Sequence, residues 1–378
     1  MAKLSSSNGI AKFPKLRFPE FKEPWNLVKL ENVCSYRKGR AKVKKAQYLS
    51  TENILQNYAG IEPYDDLTET EGISIQSGDT LMANIRPYLR KVWQSEFDGA
   101  CSTDVLAFSP DNIDGNFLYF LIAQDRFVNY VMCGAKGSKM PRGDKNHILE
   151  YETGVPTESE QRKIAHFIDL LNARISSQNS LINLFKKYKR GALSALFPKK
   201  GEITPQFRFA GFTKPWEQRK LGDLVDVCSG RDYKHLSEGD IPVYGTGGYM
   251  LSVSEALSYD KDAIGIGRKG TIDKPYILNA PFWTVDTLFY AIPREKIDLN
   301  FAFDIFQNID WKKKDESTGV PSLSKTAINE IEVLVPQYDE QQALGQFFNG
   351  IDNLITIHQH KCYSLLSLKN ALLQQMFI

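Results

Sequence analysis

The chain has 378 residues, 42% of them hydrophobic and 24% charged, with 47 lysines and arginines against 45 aspartates and glutamates for a formal net charge of +2. This is the composition of an ordinary globular protein of about two domains, and so even a balance of charge names no partner; local clusters have to be read instead. No run approaches the ~18 apolar residues of a membrane span, the opening MAKLSSSNGIAKF lacks the apolar core of a secretory signal, and five scattered cysteines with no C-x-x-C fit a reducing cytoplasm better than a disulfide scaffold or a zinc site.

In chain order, residues 1–24 read as a polar tail and an opening segment. Residues 25–155 carry short β-rich runs such as DTLMANI and DVLAFS, broken by Gly, Pro, Asn and Asp, with a helix expected over 115–132. Residues 156–204 read as one long helix and a linker. Thr157 and Glu160 form a T-x-x-E capping box after Pro156, and Ile164, Phe167, Ile168, Leu171 and Ile175 recur at helical spacing before Pro198 ends the run. Residues 205–335 return to β-rich runs (DAIGIG, PYILNA, TLFYAI), with a helix expected over 299–311. Residues 336–378 form a second long helix with Leu344, Phe347, Phe348, Ile351 and Ile355. A helix of about 40 residues is ~60 Å long. That is too long for a small domain, so the two stripes are expected to bury each other as an antiparallel coiled coil.

The chain repeats itself. A shift of 180 residues superposes Pro141 on Pro321, Lys145 on Lys325, Ile148 on Ile328, Glu160 on Glu340, Phe167 on Phe347 and Phe197 on Phe377. A shift of 191 superposes Pro14, Arg17, Phe18, Trp25 and Leu30 on Pro205, Arg208, Phe209, Trp216 and Leu221. Joining the last residues to the first would recreate the middle junction, so the repeat is circular and implies a pseudo-twofold arrangement. The fold class is therefore α+β: two mixed α/β globular domains separated by two long paired helices. Between the repeated blocks the halves barely resemble each other.

Nothing in the chain reads as an active site. Gly265, Gly267 and Gly270 spell G-x-G-x-x-G, but the β-like TIDKPYILNA follows where a dinucleotide site needs a helix. Tyr244–Gly248 is Gly-rich but lacks the Walker lysine. His358 and His360 would face different sides of a helix, which argues against a metal site. The positive signal is basic clusters with interleaved polar residues, suited to phosphate anchoring and base-edge contacts. In the first half these are Arg37, Lys38, Arg40, Lys42, Lys44 and Lys45, read as a Gly-containing loop; then Arg86, Tyr88, Arg90 and Lys91; then Lys136, Lys139, Arg142 and Lys145. In the second half they are Arg231 and Lys234, Tyr244 and Thr246, Arg268 and Lys269, Lys312–Lys314, and Ser322, Ser324 and Lys325. Across the halves the Arg37 region is matched with the Arg231 region, Arg86 with Lys269, and Lys145 with Lys325.

These stretches resemble the specificity subunit of type I restriction–modification systems. The likeness is carried by PKLRFPEFKEPW and TPQFRFAGFTKPW, by IPVYGTGGYM and AIGIGRKGTIDKPYILNAPFWTVDTLFYAI, by MPRGDKNHILEYETGVP and STGVPSLSKTAINEIEVLVP, and by the helix starts SEQRKIAHFIDLLNARISSQ and DEQQALGQFFNGIDNLITIHQ. It runs over the whole chain after about Lys12. It implies that each insert is a target recognition domain reading one half of a bipartite, asymmetric site in double-stranded DNA. It also implies that the helices, through Ile164, Phe167, Leu171, Ile175, Leu344, Phe347, Ile351 and Ile355, set the gap and dock two modification (methyltransferase) subunits, to which ATP-dependent restriction subunits add. S-adenosylmethionine, ATP and Mg are then expected on the partner subunits, with no cofactor, metal or catalytic residue on this chain. The other readings of the residues are a stand-alone DNA methyltransferase or nuclease, and a scaffold whose two domains bind proteins.

Overall fold

The computed structural model describes residues 13–199 and 201–378; most of the expected N-terminal tail lies outside the described residues. The chain divides into two compact units, Met1–Ser177 with Lys361–Ile378, and Gln178–His360. Both dividing points fall inside long helices, because each half-helix packs on the domain beside it.

Unit 1 opens with β1 (Asn26–Lys29), β2 (Cys34–Tyr36), β3 (Arg40–Lys44), β4 (Tyr48–Leu49), β5 (Glu69–Ile75), β6 (Thr80–Ala83), β7 (Val92–Gln94), β8 (Gly99–Cys101) and β9 (Val105–Pro110). Helices α1 (Gly115–Ile122), α2 (Asp125–Cys133) and α3 (Lys145–Leu149), strand β10 (Glu152–Val155) and the long α4 (Glu158–Leu196) follow. In unit 2 the order is β11 (Glu217–Lys220), α5 (Leu221–Leu224), β12 (Val225–Ser229), β13 (Ile241–Gly245), β14 (Gly248–Val253), β15 (Ala263–Gly267), β16 (Tyr276–Leu278), β17 (Trp283–Thr284) and β18 (Leu288–Pro293). The chain then forms α6 (Leu299–Asn308), α7 (Lys325–Asn329), β19 (Glu332–Val335) and α8 (Tyr338–Met376). The helix expected over 115–132 is two helices. The first ends at Ala123, whose N–H donates to Tyr119 O, and the Gln124 side chain donates to Phe120 O.

The two units share a frame, residue for residue. β1 pairs with β10 as β11 pairs with β19, with Asn26 opposite Val155 and Glu217 opposite Val335. One four-stranded sheet is common to both, ordered β2-β9-β6-β7 and β12-β18-β15-β16. Its strands come from the alternating apolar runs, and β6 and β15 are buried along their whole length. The second sheet is where the units part. Each contains one parallel pair, β4 with β8 and β13 with β17. Unit 1 extends it beyond β8 with β5 and β3, whereas unit 2 extends it beyond β13 with β14.

The long helices start the same way in both units. Arg17 grips the carboxylate of Glu160 with two bonds of 2.7 Å, and Trp25 Nε1 donates to it at 3.2 Å. Arg208 grips Glu340 with two bonds of 2.6 Å. The expected capping box is thereby corrected: the Glu160 carboxylate is buried and taken by Arg17 and Trp25, because a charge at that depth needs a cationic partner more than the helix needs a cap. Arg17 is held above its usual range chiefly by this hydrogen bond. The neighbouring Gln161 and Gln341 each accept from the N-cap residue of a domain helix, Asp114 N at 2.8 Å and Asp298 N at 3.1 Å.

The circular repeat is explicit in the backbone. Leu16 N donates to Gln375 O at 2.9 Å in unit 1, and Phe207 N donates to Ala195 O at 3.0 Å in unit 2. Phe377 stacks on Phe117 beside Trp25, and Phe197 stacks on Phe301 beside Trp216. Within unit 2 the helices run antiparallel: Gln178 meets His358, and Lys189 meets Asp352 at 2.5 Å. In unit 1, Ile164, Ala165 and Ile168 share one core with Leu373, Met376 and Phe377. Helix-to-helix packing accounts for only part of the stripe. Phe167 and Phe347 pack edge-on against Phe18 and Phe209 of the opening segments, while Ile168 and Phe348 are fully buried.

Candidate nucleic-acid interface

In each unit two pieces of backbone are stitched together at one end of the shared sheet. They are the turn after β6 or β15 and the loop that leads into α3 or α7. In unit 1, Arg86 N donates to Pro141 O at 2.8 Å, Ile85 bridges Arg142, and Gly143 N donates to Asn84 O. In unit 2, Gly270 N donates to Pro321 O at 2.9 Å, Lys269 bridges Ser322, and Leu323 N donates to Arg268 O. This register corrects the cross-match of Arg86 with Lys269: Arg86 stands where Gly270 does, and Ile85 where Lys269 does. It also refines the earlier cluster. β2 against β9 and β12 against β18 place Arg37 at Cys228, so that Arg40 is the residue at the Arg231 position.

The turn after β15 accounts for the Gly-rich motif without a nucleotide. A Cβ on Gly267 would lie 2.0 Å from Thr271 O, and Gly270 has φ +88°. The chain turns back into β16 here, and no helix opens.

Lys145 and Lys325 each take the first position of their short helix, after Asp144 and Ser324 as N-caps. Both are exposed, and neither is ion-paired among the described residues. Ser324 is committed to its cap, accepting from Ala327 N at 3.0 Å. Lys139 is exposed on the loop between Lys136 and Arg142, whose main chains exchange two bonds of 2.9 Å. Arg142 pairs with Asp104, and Lys136 with Asp144, which holds that carboxyl below its usual range. Tyr88 is exposed at the apex of the turn that follows Arg86.

The first basic cluster is placed differently from the expectation. RAKVK is strand β3, not a loop, and its cations face acids on β5 and just before it. Arg40 pairs with Glu71 at 2.6 Å, Lys42 with Glu69 at 2.5 Å and Lys45 with Asp66 at 3.1 Å. Their partner hydrogen bonds raise Lys42 and lower Glu69. The physical reason is strand period: Arg40, Lys42, Glu69 and Glu71 fall on one face of the antiparallel pair, and with Ile73 opposite Arg40 and Glu71 opposite Lys42 each cation reaches the acid diagonal to it. The alternation of Glu69 and Glu71 in ETEGISI was a legible signal that the basic run alone did not supply. Arg37 points elsewhere, making two bonds to the buried Asp79 and one to Gln76, which fixes the β5–β6 turn. Arg90 pairs with Asp125 beside Tyr58. Lys38 and Lys44 are exposed without an ion pair among the described residues.

In unit 2, Arg231 and Tyr244 are joined through one strand: Arg231 N donates to Thr284 O, and Thr284 lies opposite Tyr244 in the parallel pair. Thr246 sits at the tip of the β13–β14 hairpin, with the exposed Tyr249 and Met250 beside it. Lys234 is exposed on the loop after Arg231. Arg268 lies over the Phe289 ring. Lys312, adjacent to Trp311, pairs with Asp273. Tyr276, which donates to Gly245 O at 2.6 Å, ties the hairpin to the shared sheet and is raised well above the usual phenol range by burial.

Among the described residues no three His, Cys, Asp or Glu side chains converge to hold a metal ion, and no helix is long and apolar enough to cross a membrane. His358 accepts or donates to Gln178 and stacks on Phe185, a structural role.

Two α+β units on one repeated frame, each with a basic, polar-studded end and a second sheet of its own, define a class of paired-module protein. The chain belongs to the family of type I restriction–modification specificity subunits: the sequence model described as "Type I restriction modification DNA specificity domain" matches residues 22–186 and 213–365. Specificity subunits carry two target recognition domains and are themselves non-catalytic. Similar proteins include the type I restriction enzyme MjaVIII specificity subunit of Methanocaldococcus jannaschii, 23% identical over 390 residues that cover 90% of this chain and 88% of that one. The EcoDI specificity subunit of Escherichia coli is 22% identical over 217 residues, 54% of this chain and 48% of that one. Among solved structures, the type I S subunit from M. genitalium shares the fold with a TM-score of 0.66 at 17% identity, covering 97% of this chain and 99% of that one. A chain from a study of complex assembly and conformational transition of the type I system shares it with a TM-score of 0.57 at 16% identity, covering 94% and 98%.

Proposed function

We propose that this chain addresses a type I restriction–modification complex to its DNA, each unit reading one half of a bipartite, asymmetric site. The observation that carries this is the pairing of sameness with difference. The frame repeats bond for bond, while the second sheet is extended on opposite edges, by β5 and β3 in one unit and by β14 in the other. A repeated frame presents the same backbone end to a duplex; unlike sheets present unlike side chains to its bases. Phosphate anchoring falls to cations that no carboxylate holds among the described residues: Lys38, Lys44, Lys139 and Lys145 in unit 1, and Arg231, Lys234, Arg268, Lys269 and Lys325 in unit 2. Tyr88, Tyr244, Thr246 and Ser322 supply polar contacts. Arg37, Arg40, Lys42, Lys45, Arg90 and Arg142 are held by acids and act first on the fold, reaching DNA only if those pairs open.

The paired helices fix the gap and offer apolar residues outside their cores, such as Leu170, Leu184, Leu354 and Ile357, for two modification subunits. Those subunits hold S-adenosylmethionine and flip the adenine to be methylated; restriction subunits bring ATP and Mg. This chain supplies address rather than chemistry, and works in the cytoplasm beside the chromosome. The test is to co-express the chain with its modification subunits and map methylated adenines across the host genome. A split motif with a fixed gap is expected. Methylation by the purified chain alone with S-adenosylmethionine, or a single contiguous motif, would overturn the reading.

A further inference from the structure

Arg86 holds a backbone conformation that arginine rarely adopts. Its φ is 53°, and Arg90, also at 53°, closes the same turn around Pro87–Leu89. The turn is fixed by main-chain bonds from Arg86 N to Pro141 O, Leu89 N to Arg86 O, Arg90 N to Pro87 O, Asn57 N to Leu89 O and Tyr58 N to Arg90 O. Asn57 and Tyr58 are left-handed too, at φ 56° and 60°. At the matching register of unit 2 stands Gly270, φ +88°, making the same bond to Pro321 O. The frame therefore demands a left-handed residue here. Unit 2 supplies the one that adopts it freely, and unit 1 supplies an arginine. Strain of this kind is kept where a side chain is needed.

The guanidinium is also singular. Of the five arginines placed at the interface of unit 1, Arg37, Arg40, Arg90 and Arg142 are each held by a carboxylate. Arg86 has no such partner among the described residues; its Nε, like that of Arg90, is buried without a hydrogen bond, but Arg90 has Asp125 beside it. A phosphate contact carries no sequence information and serves both halves alike, as Lys145 and Lys325 can. A side chain present in one half and reduced to hydrogen in the other serves one half-site.

We propose that Arg86 is a base-reading, specificity-determining residue of unit 1, its guanidinium donating to O6 and N7 of a guanine in the major groove. The inference rests on the DNA reading above. The test uses the full chain with its modification subunits, selecting bound duplexes from a randomised pool and then measuring binding to the selected site and its single-base variants at several salt concentrations. Arg86→Gly is the informative variant because the frame already accepts glycine at Gly270; Arg86→Lys keeps the charge and loses the fork. Both are expected to lose discrimination at one G·C pair of one half-site, roughly ten- to a hundredfold, with the other half-site and the melting temperature of Arg86→Gly undiminished. An unchanged consensus in Arg86→Gly overturns the role of Arg86 and leaves the DNA reading standing. Uniform weakening on all sequences, with the salt slope lowered by about one, makes it a phosphate contact and overturns the proposal. A wild-type protein that selects no consensus overturns both.

Discussion

Asp304 is the place where the stability of unit 2 should respond most to pH. It lies on α6, is 1% exposed, and its Oδ2 has no hydrogen-bond partner. Burial pushes its carboxyl up to about 9; Lys189 opposes the rise, while Asp352 and Asp298 add to it. Lys189 is itself taken by Asp352 and Gln307. A carboxyl whose folded pKa is raised costs stability above its unfolded value, so the folded state loses ground progressively from about pH 4 to about pH 9. Asp304 lines a cavity of about 260 Å³, and its ionisation should cost the folded state roughly 2–4 kcal/mol between pH 5 and 8, with ~1.36 kcal/mol per pH unit as the ceiling. Asp304→Asn removes the ionisation while keeping the shape. Melting both proteins across pH 4.5–8.5 should give curves that converge in acid and separate with rising pH, the variant being more stable. A difference independent of pH, or a variant less stable at every pH, would refute the reasoning.

Other expectations follow from the same geometry. Arg17→Ala strands the buried Glu160 carboxylate and should destabilise unit 1 by about 3 kcal/mol in urea unfolding, and adding Glu160→Gln should recover part of it; recovery of nothing would mean that packing, not charge, is lost. Lys145→Ala and Lys325→Ala should each weaken binding to all sequences and lower the salt slope by about one, whereas Lys42→Ala, whose charge answers Glu69 on an exposed ribbon, should change the slope by much less. A seven-residue insertion into both α4 and α8 preserves the apolar stripe and adds ~10.5 Å at 1.5 Å per residue, about three base pairs. Methylation mapping should find the same half-sites with a gap enlarged by that amount, and an unchanged gap would end the idea that the helices measure it.

The periodic and the repeated parts could be read from the residues alone. Apolar spacing defined α4 and α8, alternation gave the runs that became β6, β9, β15, β16 and β18, and the two offsets gave a frame that returns as paired bonds at Arg17 and Arg208, and at Leu16 and Phe207. These are local or register-preserving signals, and a residue's neighbours along the chain suffice to write them. Which cations are free became visible once the strands were paired in space. Arg40 and Lys42 look like phosphate ligands until β5 brings Glu71 and Glu69 within reach on the diagonal, and Arg37 looks like one until Asp79 turns up beneath it. The fold likewise shows that Arg86 stands in for Gly270, because the equivalence runs through hydrogen bonds to Pro141 and Pro321 rather than through sequence likeness. A charge's availability and a backbone's strain depend on what the fold brings across from distant residues, and no period within one stretch of chain encodes that.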